Sequence, residues 1–319
     1  MTDRVLALKA EFLAGSQRAL ARAISWAESG TVAELIADLY PRTGRAITLG
    51  LTGPPGVGKS TLTSAIVKVA RAEGKSVGVI SVDPSSPFTH GAVLGDRIRL
   101  SEHFTDPDVF IRSMASRGHL GGLAGATGDA ILLMDAFGKD VIVIETVGVG
   151  QSEVEIAELA DSTIVALQPG SGDSVQALKA GILEVADIFV INKADHPMAK
   201  QLQRDIRSML EMQFKHEGWN AKIVATQALA GTGIAQLWAA LAEHRAYLEE
   251  SGDIHKKRAR AFAHRVRELA LGRMSERIEA QLSAEMKLRK EQRAEQTLDP
   301  YAAADRVVNA LGIVRSELR

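Results

Sequence analysis

Gly53-Pro54-Pro55-Gly56-Val57-Gly58-Lys59-Ser60-Thr61 is the stretch that decides the fold of this chain. It fits the phosphate-loop pattern G-x-x-x-x-G-K-[ST]. Before it lies an apolar run, Ala46-Ile47-Thr48-Leu49-Gly50-Leu51, that reads as a buried strand. After it comes a helical pattern from Thr61 to Ala70. Glycines let the backbone turn its amides inward around a β-phosphate, and a helix N-terminus adds positive potential. Lys59 is expected to reach the β- and γ-phosphate oxygens, and the Ser60 hydroxyl to ligate Mg²⁺.

Working outward, strand-like runs alternate with helical stretches from about residue 45 to 252. They are Val77–Val82, Val109–Ile111, Val141–Ile144, Thr163–Leu167, Ile188–Ile191 and Lys222–Ala225. Several are continuously apolar, as expected for a mostly parallel sheet covered by helices on both faces. The run 105–112 is expected to pair antiparallel. Residues 1–44 read as an N-terminal helical extension, two amphipathic helices separated by Gly30, ended by Pro41-Arg42-Thr43-Gly44. From about 253 to 319, Lys, Arg, Glu and Ala dominate, and Phe262, Val266, Leu269, Met274, Ile278, Leu282 and Met286 form a helical stripe. The expectation is therefore an α/β phosphate-loop NTPase domain with helical extensions at both ends.

Composition narrows the function. The chain has 319 residues, 46% hydrophobic and 24% charged, with a formal net charge of −1. That balance gives no global drive toward nucleic acid or a membrane surface. Cysteine is absent, so there is no disulfide framework and no thiolate metal site. A cytoplasmic protein is expected.

Three further motifs specify what the loop serves. Asn192-Lys193-Ala194-Asp195 follows the strand Ile188–Ile191 and fits the guanine-binding pattern N-K-x-D. An aspartate carboxylate can accept from both guanine N1–H and the exocyclic amine, a donor pair that adenine lacks. The Lys193 stem can cover the face of the base. Glu145-Thr146-Val147-Gly148 stands where most GTPases have Asp-x-x-Gly. Glu145 can hold Mg²⁺ or orient its water shell, and the Gly148 amide can bond the γ-phosphate. Asp83, at the end of the second strand, can sit near the metal or start a turn before Pro84. The glycine-rich stretch Gly118–Gly128 reads as a loop, and no strand leads into it as a second phosphate site would require.

These runs, together with Gly95-Asp96-Arg97 and the extended Glu145-Thr146-Val147-Gly148-Val149-Gly150-Gln151-Ser152-Glu153, resemble the MeaB-type GTPases, chaperones of adenosylcobalamin-dependent acyl-CoA mutases. The likeness covers about 45–250. It implies GTP hydrolysis to GDP, with Ser60, Asp83, Asp96 and Glu145 around Mg²⁺. It also implies an extra switch loop spanning Leu167 to Glu184, in which Gln176 and Lys179 approach the nucleotide when the mutase docks. It further implies a homodimer through the C-terminal helices, a mutase partner and an adenosyltransferase as a second one. The guanine-contacting loop of that family usually reads Ser-Ala. Here it is Thr226-Gln227-Ala228, so Gln227, Ala228 and Leu229 are assigned to the nucleotide site with their support in question. Two rival functions share the loop. A nickel-insertion GTPase usually carries Cys or His ligands. A small-molecule kinase needs an acceptor-binding domain and has no use for N-K-x-D.

Overall fold

The computed structural model describes residues 3–84, 97–116, 124–146, 152–171, 182–212, 218–291 and 299–312. Seven strands form one parallel sheet: β1 (Ile47–Thr52), β2 (Val77–Pro84), β3 (Val109–Ser116), β4 (Val141–Thr146), β5 (Ser162–Leu167), β6 (Ile188–Ile191) and β7 (Lys222–Ala225). Their order is β3-β2-β4-β1-β5-β6-β7. The loop-bearing β1 thus sits at the centre, between β4 and β5.

The run expected to pair antiparallel does not. β3 pairs parallel with β2, from Val77↔Val109 to Pro84↔Ser116. A parallel neighbour needs a long crossover. The chain between the two strands is long enough, and its last part is a 3₁₀ turn over Arg97–His103.

Continuous apolar strands are explained by burial on both faces. Val141 and Val143 join Leu49, Leu51, Leu62, Ile66 and Leu237 in one core. That side is covered by α4 (Lys59–Ala72) and by α9 (Ile234–Glu250). Ile142 and Ile144 turn to the other face, with Ile80, Val82, Phe12, Leu20, Ile24 and Met134. The period of two is thus apolar in both phases.

The N-terminal residues form three helices rather than two: α1 (Asp3–Leu13), α2 (Gln17–Glu28) and α3 (Ala33–Leu39). The missed break lies at Gly15, whose φ is +81°. Ser16 then caps α2 by accepting from the Ala19 amide. These helices pack into the sheet's own core, where Phe12 meets Phe137 edge to face at 5.1 Å. The stretch read as a glycine-rich loop is partly helical: α5 (Ala124–Phe137) begins inside it, so Gly125 and Gly128 are helical residues. Among the described residues the domain also has α6 (Ser152–Leu159), α7 (Ile182–Val185) and α8 (Ala199–Met212).

The chain divides into two units, Met1–Phe262 and Ala263–Arg319. A single helix, α10 (Asp253–Glu291), starts in the first and continues through the second. Its first turns are bound to the start of the sheet. Arg258 donates to the carbonyls of Gly44 and Ala46 and to both oxygens of Asp161. Lys257 donates to Asp161 O at 2.8 Å and Asp187 Oδ2 at 2.9 Å. In the second unit, Asp299 caps α11 (Pro300–Ala310) by accepting from the Tyr301 and Ala302 amides. Val266, Leu269, Leu271, Ile278, Leu282 and Met286 are exposed along α10.

Candidate nucleotide site

The site is built at the carboxyl end of β1. Asp135 prepares the strand from its other end, accepting from the Arg45 and Ala46 amides at 3.1 and 2.9 Å. The chain then leaves β1 into the loop at Gly53, whose φ is +141°. A Cβ there would lie 2.1 Å from the Ala166 carbonyl oxygen of β5, so no other residue fits. Gly58 lies at φ +92°, and a Cβ there would come within 2.7 Å of the Asn192 Nδ2 side-chain atom. Lys59 and Ser60 open α4, so backbone amides and a buried ammonium converge on one concavity. Lys59 Nζ donates to Gly53 O at 2.6 Å and Pro54 O at 3.0 Å.

Glu145 closes the floor of this concavity. Its position on β4 is opposite Leu51 of β1 and Ser81 of β2. The carboxylate is buried, with Oε1 accepting from Ser60 Oγ at 2.7 Å and Oε2 from Thr63 Oγ1 at 2.8 Å. One residue further on, Thr146 Oγ1 meets Thr52 Oγ1 at 3.2 Å. Asp83, the last residue but one of β2, is opposite Ala115 and one residue past the Val82↔Thr146 pair, at the same end of the sheet as Glu145. Ser60 and Glu145 are hard oxygen donors, as Mg²⁺ requires. Among the described residues no group of three His, Cys, Asp or Glu side chains could hold a metal alone.

The second half of the site hangs on Asn192. Its Nδ2 donates to Val57 O at 2.8 Å, while Oδ1 accepts from Thr226 Oγ1 and from the Ala228 amide, both at 3.1 Å. One buried side chain therefore ties the phosphate loop to the loop after β7. In the Thr226-Gln227-Ala228 run, Thr226 supplies the hydroxyl and Ala228 the amide that hold Asn192. Lys193 has φ +55°, the only positive value for a non-glycine residue among the described residues. Its Nζ donates to Gly56 O at 2.8 Å and Gln168 Oε1 at 2.6 Å, which holds the side chain extended along the loop. Asp195 is exposed, as is Leu229, while Gln227 donates its amide to Thr232 O at 2.9 Å. Pro55 is exposed at the loop tip, and Thr61 is half-buried on α4.

Asp96, Gly148, Gln176 and Lys179 lie outside the described residues. Sequence reasoning missed Thr63 as a member of the site, and it placed Gln168 in the switch loop without its bond to Lys193. A trace of Thr63 was present, since it follows Ser60 by one helical turn. Nothing in the sequence marked Gln168 as the partner of Lys193.

A loop that leaves its strand at a glycine no other residue can replace, a buried lysine and serine at a helix start, and an N-K-x-D joined to that loop are the parts of a P-loop GTPase. A profile of the methylmalonyl Co-A mutase-associated GTPase MeaB family matches residues 20–283, and the chain belongs to that family. It is 46% identical over 303 residues to a Pyrococcus abyssi protein named as a GTPase, covering 93% of this chain and 94% of that one. It is 38% identical over 221 residues to the mouse mitochondrial methylmalonic aciduria type A homolog, covering 67% and 53%. A solved LAO/AO transport system kinase superposes with a TM-score of 0.70 at 26% identity, over 98% of this chain and 99% of that one. Among the described residues no helix is long and apolar enough to cross a membrane.

Proposed function

We propose that this chain is a GTP-hydrolysing chaperone of an adenosylcobalamin-dependent acyl-CoA mutase, gating cofactor loading and reactivation of that partner in the cytoplasm. The observation that carries the reading is the family match over residues 20–283. The mouse relative, named for methylmalonic aciduria, supports the same partner class.

The roles proposed for the residues are these. The amides of Gly53 and of Gly56 to Thr61 surround the β-phosphate, Pro54 and Pro55 having none to give, and Lys59 exchanges its two carbonyl partners for phosphate oxygens. Ser60 ligates Mg²⁺, with Glu145, Asp83 and Asp96 around it. When bound there, the ion neutralises charge on the β- and γ-phosphates. Asp195 pairs with guanine N1 and N2, the Lys193 stem covers the base, and Gln227, Ala228 and Leu229 border it. The Ala228 amide is already engaged by Asn192. Gly148 bonds the γ-phosphate. Gln176 and Lys179 belong to the switch loop that the docked mutase engages, and Lys179 then adds positive charge. The exposed stripe from Val266 to Met286 is covered by a second copy, giving a homodimer. An adenosyltransferase is the further partner that supplies cofactor.

The test is GTP turnover with and without a purified mutase of this class. The mutase should raise turnover, and Lys179→Ala should lose most of the rise while keeping the basal rate. A panel of such mutases that leaves turnover unchanged would refute the coupling. Preference for ATP over GTP in a competition assay would instead point to the kinase reading.

A further inference from the structure

The two hydroxyls on Glu145 do different things. Ser60 and Thr63 are one turn apart on the same face of α4, and each gives its proton to one oxygen of the carboxylate. A hydroxyl carries one proton and two lone pairs. With its proton directed at Oε1, Ser60 keeps its lone pairs for a cation, which is the state a ligating hydroxyl must be in. Thr63 cannot ligate the same ion from the next turn. It is fully buried, and its hydroxyl goes across to β4 rather than back to the carbonyl of the preceding turn, where a helical threonine often bonds. Its β-branched side chain has few χ1 choices, so that direction is well defined.

Glutamate at this position has one more rotatable bond than the aspartate of most GTPases. The carboxylate can therefore reach Ser60 in more than one orientation unless its second oxygen is held. We propose that Thr63 is a positioning residue for the metal: its hydroxyl fixes the second oxygen of Glu145, so that the first holds the Ser60 proton away from the cation. The inference rests on Mg²⁺ binding at Ser60 as proposed above. Thr63 itself touches neither metal nor nucleotide.

The experiment uses the full chain and its Thr63→Val and Thr63→Ser variants. Release of a fluorescent GDP analogue is measured across a Mg²⁺ titration, GDP affinity is measured in EDTA, and melting temperature is recorded. Thr63→Val removes one hydrogen bond to a buried carboxylate at nearly constant volume. Its Mg²⁺ midpoint should rise about five- to tenfold, with GDP affinity in EDTA within about twofold of the parent. Thr63→Ser, which keeps the donor, should restore the parent midpoint. If Thr63→Val does not fold, Thr63→Ala serves with the same expectation. A folded valine or alanine variant with the parent's midpoint would overturn the inference, as would an equal loss of GDP affinity with and without Mg²⁺. A parent chain whose GDP release ignores Mg²⁺ would overturn the metal assignment itself, and this inference with it.

Discussion

Asn192→Ala tests how the two ends of the nucleotide site are joined. The side chain makes three hydrogen bonds, to Val57 O, Thr226 Oγ1 and the Ala228 amide. Val57, Thr226 and Ala228 are all buried. Truncation strands the carbonyl and the amide, and each unpaired buried group costs about 1–3 kcal/mol. The expected loss is about 3 kcal/mol, a large share of the roughly 5–15 kcal/mol that stabilises a domain. At about 2–4 °C per kcal/mol for a domain of this size, melting should fall by roughly 6–12 °C. GDP affinity should fall by at least about tenfold, since both the phosphate loop and the loop after β7 lose their common tie. Calorimetry with and without GDP checks both quantities, because the upshift that GDP gives is set by its affinity. A variant that melts within about 2 °C of the parent and binds GDP equally well would refute the reasoning.

Three more outcomes are expected. Asp195→Asn should weaken GTP binding by at least about tenfold, with partial transfer to a xanthine nucleotide, measured by competition titration. Glu145→Ala should lower GTP turnover more than GDP affinity, and equal losses for the two would count against its tie to the γ-phosphate side. Stability should fall on acidification through His244, which burial pushes down to about 4 against the opposing pull of Asp187, with Lys257 and Asp161 also nearby. The unfolded chain takes up that proton below about 6.5 and the folded chain only near 4. The stabilisation is therefore complete above pH 6.5 and is lost between there and 4, about 3 kcal/mol in all. His244→Gln should flatten the melting profile across that window.

Much of this was legible in the order of the residues, for physical reasons that can be named. Gly53 to Thr61 is readable because the conformation of a phosphate cradle admits few residues. Val141-Ile142-Val143-Ile144 is readable because burial on both faces leaves no polar phase. The parallel pairing of β3 was not readable, since direction depends on a crossover whose path leaves no periodic mark. Gly15 was overlooked because amphipathic spacing continues across the break, and only the adjoining Ser16 cap signals it. The bonds of Asn192 were hidden for another reason. Its partners Val57 and Thr226 lie far away in sequence and meet only when β1, β5, β6 and β7 are assembled in that order.

The footing of α10 carries a consequence of another kind. Arg258 grips the carbonyls of Gly44 and Ala46, just ahead of β1, and that strand runs straight to Gly53. A strand is stiff along its length, about 3.3 Å per residue. Load applied to the first turns of the long helix is therefore carried by the one strand that ends in the phosphate cradle, with Asp161 and the neighbouring β5 sharing it. In mechanical terms the first turns of the helix are anchored to the foundations of β1, β5 and β6 together, and the strand that ends in the phosphate loop is one of the three that bear a torque on them.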